Sequence, residues 1–163
     1  MIDQEIIFRT EERLKVFNIN IESKEINKPW GGYFVIHESS LQNFLHHFFP
    51  ELNSTSLGNG KLSPKILIVA PNQKLSWQYH LRREEVWKLI DGKAGLVRSL
   101  TDLPSSTTNM VINETVCLQK EERHRLVGLE EWGVVAEIWK HTDPDFPSDE
   151  EDIVRLEDNY GRQ

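Results

Sequence analysis

From Lys65 onward the chain is a succession of short apolar runs broken by polar residues. The runs are "KILIVA" at 65–70, then 74–80, "EVWKLI" at 85–90, 94–99, "MVINETVCL" at 110–118, 124–127 and "GVVAEIW" at 133–139. Many short runs with regular punctuation predict strands, and so an all-β sandwich or barrel rather than α/β alternation. Asp91-Gly92 predicts a tight turn between two of them. Upstream, "LKVFNINI" at 14–21 alternates, with Val16, Asn18 and Asn20 on one side and Phe17, Ile19 and Ile21 on the other, which predicts a strand. A Pro-Gly turn in "NKPWGGYFVIHE" leads into a second strand at 33–37. The period then changes. Leu41, Phe44, Leu45 and Phe48 fall at i, i+3, i+4 and i+7, Ser39 or Ser40 can cap the start, and Pro50 stops the run. A short helix over 39–49, packed on something larger, is expected. Residues 53–64 and the acidic, Pro-containing 142–152 read as loops, and no internal repeat is present.

Composition narrows the class. At 163 residues, 38% hydrophobic and 28% charged, the chain is expected to form one globular domain, 1–163, with one core. No apolar run approaches the roughly 20 residues of a membrane helix. The charged start lacks the apolar stretch of a signal peptide. Cys117 is the only cysteine, so no intrachain disulfide can form and a reducing cytoplasm is the expected location. Cys117 itself reads as a small buried apolar residue. A net charge of −7 argues against a nucleic-acid partner, and an anionic small substrate would need a local cluster of Arg and Lys.

The segment "SWQYHLRREEVW", 76–87, carries the candidate chemistry. On a strand Gln78 and His80 share a face, opposite Trp77 and Tyr79. Glu85 has the wrong parity for an unbroken strand. A turn or bulge within 81–84 would reset it and put Glu85, Trp87 and Leu89 on the inner face. His124, on a later strand, can supply a fourth ligand. Two imidazoles, a carboxylate and an amide oxygen suit a divalent cation: zinc first, with manganese, cobalt, nickel and iron as alternatives. The competing reading is a surface strand whose Gln, His and Glu are solvated.

Gln-x-His-x4-Glu with a distant His resembles the paired metal motifs of the cupins. More closely, the chain resembles the C-terminal cupin domain of type II mannose-6-phosphate isomerases, which many bacteria fuse to a guanylyltransferase. The matching segments are "KPWGGY" at 28–33, "KLSWQYHLRREEVW" at 74–87, "HRL" at 124–126 and "EEDIVRLEDNYGR" at 150–162. They bracket residues 28–162. The resemblance implies a double-stranded β-helix, a small jelly-roll barrel, with Gln78, His80, Glu85 and His124 as metal ligands. It also implies a homodimer. There are departures. Two family histidines become Leu81 and Arg82, a third becomes Val86, and a Pro-x-Gly before the last ligand becomes Gln119-Lys120-Glu121. Residues 38–64 look like an insertion. No guanylyltransferase domain is seen, so that activity is not expected.

The implied function is metal-dependent aldose–ketose isomerisation of a sugar phosphate, mannose-6-phosphate to fructose-6-phosphate or a relative. Such a reaction needs a base near carbon, an electrophile on the oxygens and a phosphate clamp. Clamp candidates are Arg82, Arg83, Lys88, Arg123, Arg125 and Arg155. Alternation turns Arg123 and Arg125 away from His124, so these are expected to be solvated. Arg155 is favoured as a substrate contact, against a structural ion pair with Glu157 or Asp158. Glu137 is the candidate base if the face it shares with Val135 and Trp139 is interior; an outward-facing Glu on a barrel strand is the alternative. Trp30, Trp77, Trp87, Trp132 and Trp139 include possible sugar platforms, with Trp87 read as core. His46 and His47 are expected on a helix surface. Rival functions are a non-catalytic sugar-binding cupin, favoured by the altered lining, and a non-haem iron dioxygenase.

Overall fold

A computed structural model describes residues 3–162. Its strands are β1 (Ile21–Lys28), β2 (Gly31–Ile36), β3 (Leu62–Val69), β4 (Trp77–Tyr79), β5 (Arg83–Ser99), β6 (Thr108–Asn109), β7 (Thr115–Leu118), β8 (Arg123–His141) and β9 (Val154–Glu157). All pair antiparallel, along the path β1-β2-β3-β8-β4-β9, with β5 pairing β6, β7 and β8. The long strands β5 and β8 form the spine. The second half of β8 lies between β3 and β5, so Val135 faces both Leu67 and Leu89. Its first half runs between β4 and β5, so His124 faces both Gln78 and Arg98. Two helices, α1 (Gln4–Val16) and α2 (Leu41–Phe48), complete the frame.

Period-2 alternation divides the apolar residues into two clusters. Ile66, Ile68, Val86, Ile90, Val134, Ala136 and Ile138 point outward and pack under the helices with Ile6, Leu14, Phe44 and Phe48. Leu67, Val69, Trp87, Leu89, Leu126 and Val135 point inward and line the barrel. Both faces of the β3–β8–β5 region are therefore buried, which is why its strands read as continuous apolar runs.

Several expectations change. Residues 14–16 are the end of α1, with Phe17 as its C-cap, not a strand. Ile6, Ile7, Thr10 and Leu14 bury one helical face, and the Asp3 side chain caps the start by accepting from the Glu5 N–H. Asn18, at φ 54°, ends the helix, and the Ile19 N–H reaches back to the Leu14 carbonyl. Asp91-Gly92 is not a turn either. Strands 85–90 and 94–99 are one bent strand, with register shifts on either side of Gly92. Gly92 has φ +67°, and a Cβ there would meet the Trp132 carbonyl at 1.8 Å. The same dihedral suits a hairpin or a bulge, and only the pairing partner decides. Runs 124–127 and 133–139 likewise merge into β8.

The 39–49 helix is present as a 3-10 turn (Glu38–Ser40) followed by α2, but neither serine hydroxyl caps α2. Ser40 accepts from the Asn20 N–H and Ser39 pairs with the His37 ring. Within the 53–64 loop, Ser54–Leu57 forms one short helical turn. Cys117 is exposed, because its neighbour Leu118 takes the inward position on β7. No helix among the described residues is long and apolar enough to cross a membrane.

Candidate metal centre

His80 follows β4, Glu85 lies on β5 and His124 on β8. One ligand-type atom of each lies within 4.8 Å of the others, and all three side chains are buried. The parity change between His80 and Glu85 is made at residues 81 and 82. There the Asp152 carboxylate accepts the N–H groups of both Leu81 and Arg82 at 3.0 Å. The turn that aims His124 survives without Pro or Gly: Glu121 adopts φ 64°, and its N–H donates to the His80 carbonyl.

The hydrogen bonds of the two imidazoles test whether the set fits a cation. His80 Nδ1 lies 2.6 Å from the Asp152 carbonyl oxygen, and His124 Nδ1 lies 2.9 Å from that of Glu122. Carbonyls only accept, so both Nδ1 atoms carry a proton, and in the neutral rings both Nε2 atoms present lone pairs. Those lone pairs face the Glu85 carboxylate, at 3.1 Å for His80 and 3.2 Å for His124. Arg83 supplies donors on one side only, from Nε to Glu85 Oε1 at 2.8 Å and from its terminal nitrogen to His80 Nε2 at 3.1 Å. Glu85 Oε2 and His124 Nε2 are buried with no hydrogen-bond partner. Two acceptors in contact without a donor are costly unless a positive charge lies between them. A three-ligand His–Glu–His set with open positions fits a divalent cation.

The charges of the trio and Arg83 set its titration. Burial alone would raise the Glu85 carboxyl, but His80, Arg83 and His124 outweigh it and hold the group well below the usual carboxylate range. Burial lowers His80. Burial also opposes charge on His124, but the Glu85 carboxylate overrides it and leaves that imidazole raised.

Gln78, on β4, stands beside the trio. Its amide oxygen accepts from the Ser76 hydroxyl, and its amide nitrogen faces His80 Nε2 at 3.5 Å. Glu137 does face inward. Its two oxygens accept the indole N–H groups of Trp87, at 2.7 Å, and Trp139, at 2.8 Å. Burial, then the charge of Glu85, pushes its carboxyl up to about 7.

Gln78, Glu85 and Glu137 open onto a cavity of about 280 Å³. That is close to the lower bound of roughly 300 Å³ for small-molecule sites. Its wall carries five cations, Lys28, Lys65, Arg83, Arg155 and Arg162, against Glu85, Glu137 and Glu150. In a chain of net charge −7 this is a local cationic island. Arg155 lines the cavity.

Two predicted clamp residues do not reach it. Lys88 lies on the outward face of β5, where Glu51 pairs with it at 2.5 Å. Arg82 turns toward the acidic loop, over the Phe146 ring and beside Asp149. Arg123 bonds Asp102 outside the cavity, and Arg125 is buried against Glu157 rather than solvated. Trp30, Trp87 and Trp139 line the cavity, Trp87 as a fully buried wall, whereas Trp77 and Trp132 do not. His46 and His47 are exposed on α2. Lys65, Tyr33 and Asp152 were missed. A lysine at the interior parity of "KILIVA", in step with Leu67 and Val69, was the available signal for the first.

The departures from the family pattern at 81, 82 and 86 also lie outside the cavity. Leu81 is 49% exposed, Arg82 braces the loop, and Val86 packs in the outer cluster. The lining is therefore not altered at these positions.

A family model described as mannose-6-phosphate isomerase C-terminal matches residues 46–158. No curated protein matches the sequence. The capsular polysaccharide assembling protein CapF from Staphylococcus aureus is similar with a TM-score of 0.55 at 14% identity, over 83% of this chain and 34% of CapF. Oxalate decarboxylase from Lactobacillus farciminis, in a formate complex, gives 0.54 at 15% identity, over 82% and 33%. The chain thus spans about a third of either protein. These are likenesses of fold alone, and the fold they share is consistent with a jelly-roll β-barrel.

Proposed function

Because this chain belongs to the mannose-6-phosphate isomerase C-terminal family, a cupin family, we propose that it is a metal-dependent sugar-phosphate isomerase. Its substrate pair is mannose-6-phosphate and fructose-6-phosphate, or a closely related aldose and ketose. The observation that carries this reading is that Glu85 of the His80–Glu85–His124 trio and Glu137, a buried carboxyl raised to about 7, line one cavity.

His80, Glu85 and His124 would hold the cation, which supplies Lewis-acid polarisation of the sugar oxygens. Glu137 holds or takes a proton at neutral pH, because its raised value puts both forms within reach. The two indole donors fix its carboxylate plane, so a proton can pass between neighbouring carbons without the group swinging. Lys28, Lys65, Arg155 and Arg162 supply the positive charge that a phosphate dianion needs. Leu67, Leu75 and the Trp87 and Trp139 rings exclude water from the reacting end. The family resemblance further supports a homodimer, which light scattering would read out, and the single cysteine supports a reducing, cytoplasmic location.

The test is proton NMR in D₂O on protein loaded with zinc, manganese, cobalt, nickel or ferrous ion and given mannose-6-phosphate. Ketose formation or exchange at C2, absent after chelation and in His124→Ala, is the expected result. Stoichiometric metal without exchange would overturn the isomerase reading in favour of a binding role.

A further inference from the structure

We propose that Glu150 marks the seat of the ligand's phosphate: its carboxylate holds an anion site at Lys65 until a phosphate group enters the cavity and displaces it. The proposal rests on the anionic-ligand part of the function above, not on turnover.

Like Arg83, Lys65 is a buried cation of the cavity wall. Its side chain is 9% exposed. Its ammonium lies 4.1 Å from the centre of the Tyr33 ring and 4.6 Å from that of Trp139. Two aromatic faces hold a desolvated ammonium in place without neutralising it. A charge so placed requires an anion, and Glu150 supplies it at 2.5 Å.

The two partners are not equally committed. The Glu150 side chain is 62% exposed and belongs to the irregular segment between β8 and β9. On leaving Lys65 it returns to water at little cost, whereas Lys65 has no such option. The other buried lysine, Lys88, differs, because its partner Glu51 is also bonded to Thr115.

The backbone around Glu150 is anchored on both sides. The Asp149 carbonyl and the Ser148 hydroxyl accept from Arg83, and Asp152 holds the turn at 81–82. Displacement thus needs a side-chain rotation and no loop opening. Arg155 and Arg162 line the same cavity, and Arg155 lies within the field of Glu150. An incoming phosphate, with more charge and more acceptor oxygens than one carboxylate, would engage Lys65 together with these neighbours.

The test is calorimetric titration of inorganic phosphate into the chelator-treated full chain, so that neither metal nor catalysis enters. Glu150→Gln removes the resident competitor and is expected to tighten phosphate binding roughly tenfold. Glu151→Gln, an exposed neighbour with the same charge change, is expected to leave it within about twofold. Lys65→Met is expected to weaken it at least tenfold, with a thermal melt to confirm folding. Unchanged or weaker phosphate binding in Glu150→Gln would overturn the proposal whatever Lys65→Met does. Acetate binding in preference to phosphate would overturn the assigned class. A failed isomerase assay leaves these binding results standing, so the two readings fail separately.

Discussion

His124 Nε2 lies 3.2 Å from Glu85 Oε2, and neither atom has a hydrogen-bond partner. A divalent cation bound to the native trio relieves this contact and stabilises the fold by mass action. At about 100 times its dissociation constant the gain is about 2.7 kcal/mol. For a chain of this size that corresponds to a melting-temperature rise of roughly 5–10 °C. Scanning calorimetry with zinc and with chelator checks it. His124→Ala should abolish the rise, and a wild-type Tm indifferent to every metal would sink the site.

Glu137 predicts a pH dependence of definite sign. Burial and the charge of Glu85 push its carboxyl up to about 7 in the folded chain, from an ordinary 4.5. Between these values the unfolded state binds fewer protons than the native state. Its contribution therefore makes stability fall as pH rises from about 4.5 to about 7, and is level above that. The ceiling is about 3 kcal/mol, at 1.36 kcal/mol per unit. Glu137→Gln should flatten this part of a urea-stability profile. It should also lower the isomerisation rate by roughly 10²–10⁴ and remove its rise near neutral pH.

Asp152 ties the acidic loop to the candidate metal centre twice. Its carbonyl fixes His80 Nδ1, and its carboxylate accepts from Leu81, Arg82 and Ser148. Asp152→Ala frees the turn that orients His80, so zinc affinity should fall about 10- to 100-fold. Competition with a chromophoric chelator would measure it. Affinity within twofold of wild type would mean that β4 alone orients the ring.

Glu121 has φ 64° where the family pattern has Gly, so an L side chain there bears left-handed strain. Glu121→Gly should stabilise the chain by about 1 kcal/mol, or roughly 2–4 °C. Zinc affinity should not change, because the turn already has the required shape. A lower Tm would show that the Glu121 side chain contributes more than the strain costs.

Much of this molecule was legible before folding. Alternation put Gln78 with His80, and the parity of Glu85 required a turn at 81–84, which the Asp152 carboxylate holds. The helix over 39–49 followed from apolar residues at 3.6-residue spacing. Other features were not legible, each for a local reason. The Asp91-Gly92 signal is common to hairpins and bulges, and the pairing with β8 chose the bulge. The alternation of 14–21 is also what a helix end running into a strand looks like, and the contacts of Ile6 and Leu14 with the sheet decided it.

By itself the sequence determined which residues share a face, because a strand's period of two follows from backbone geometry alone. It did not determine which face is the interior. With α1 and α2 covering the outer surface, both sides of β3, β5 and β8 are apolar, and hydrophobicity no longer tells them apart. Only the tertiary structure turned Lys65 and Glu137 into the cavity and Lys88 out of it, because closing the barrel selects one face of every strand at once.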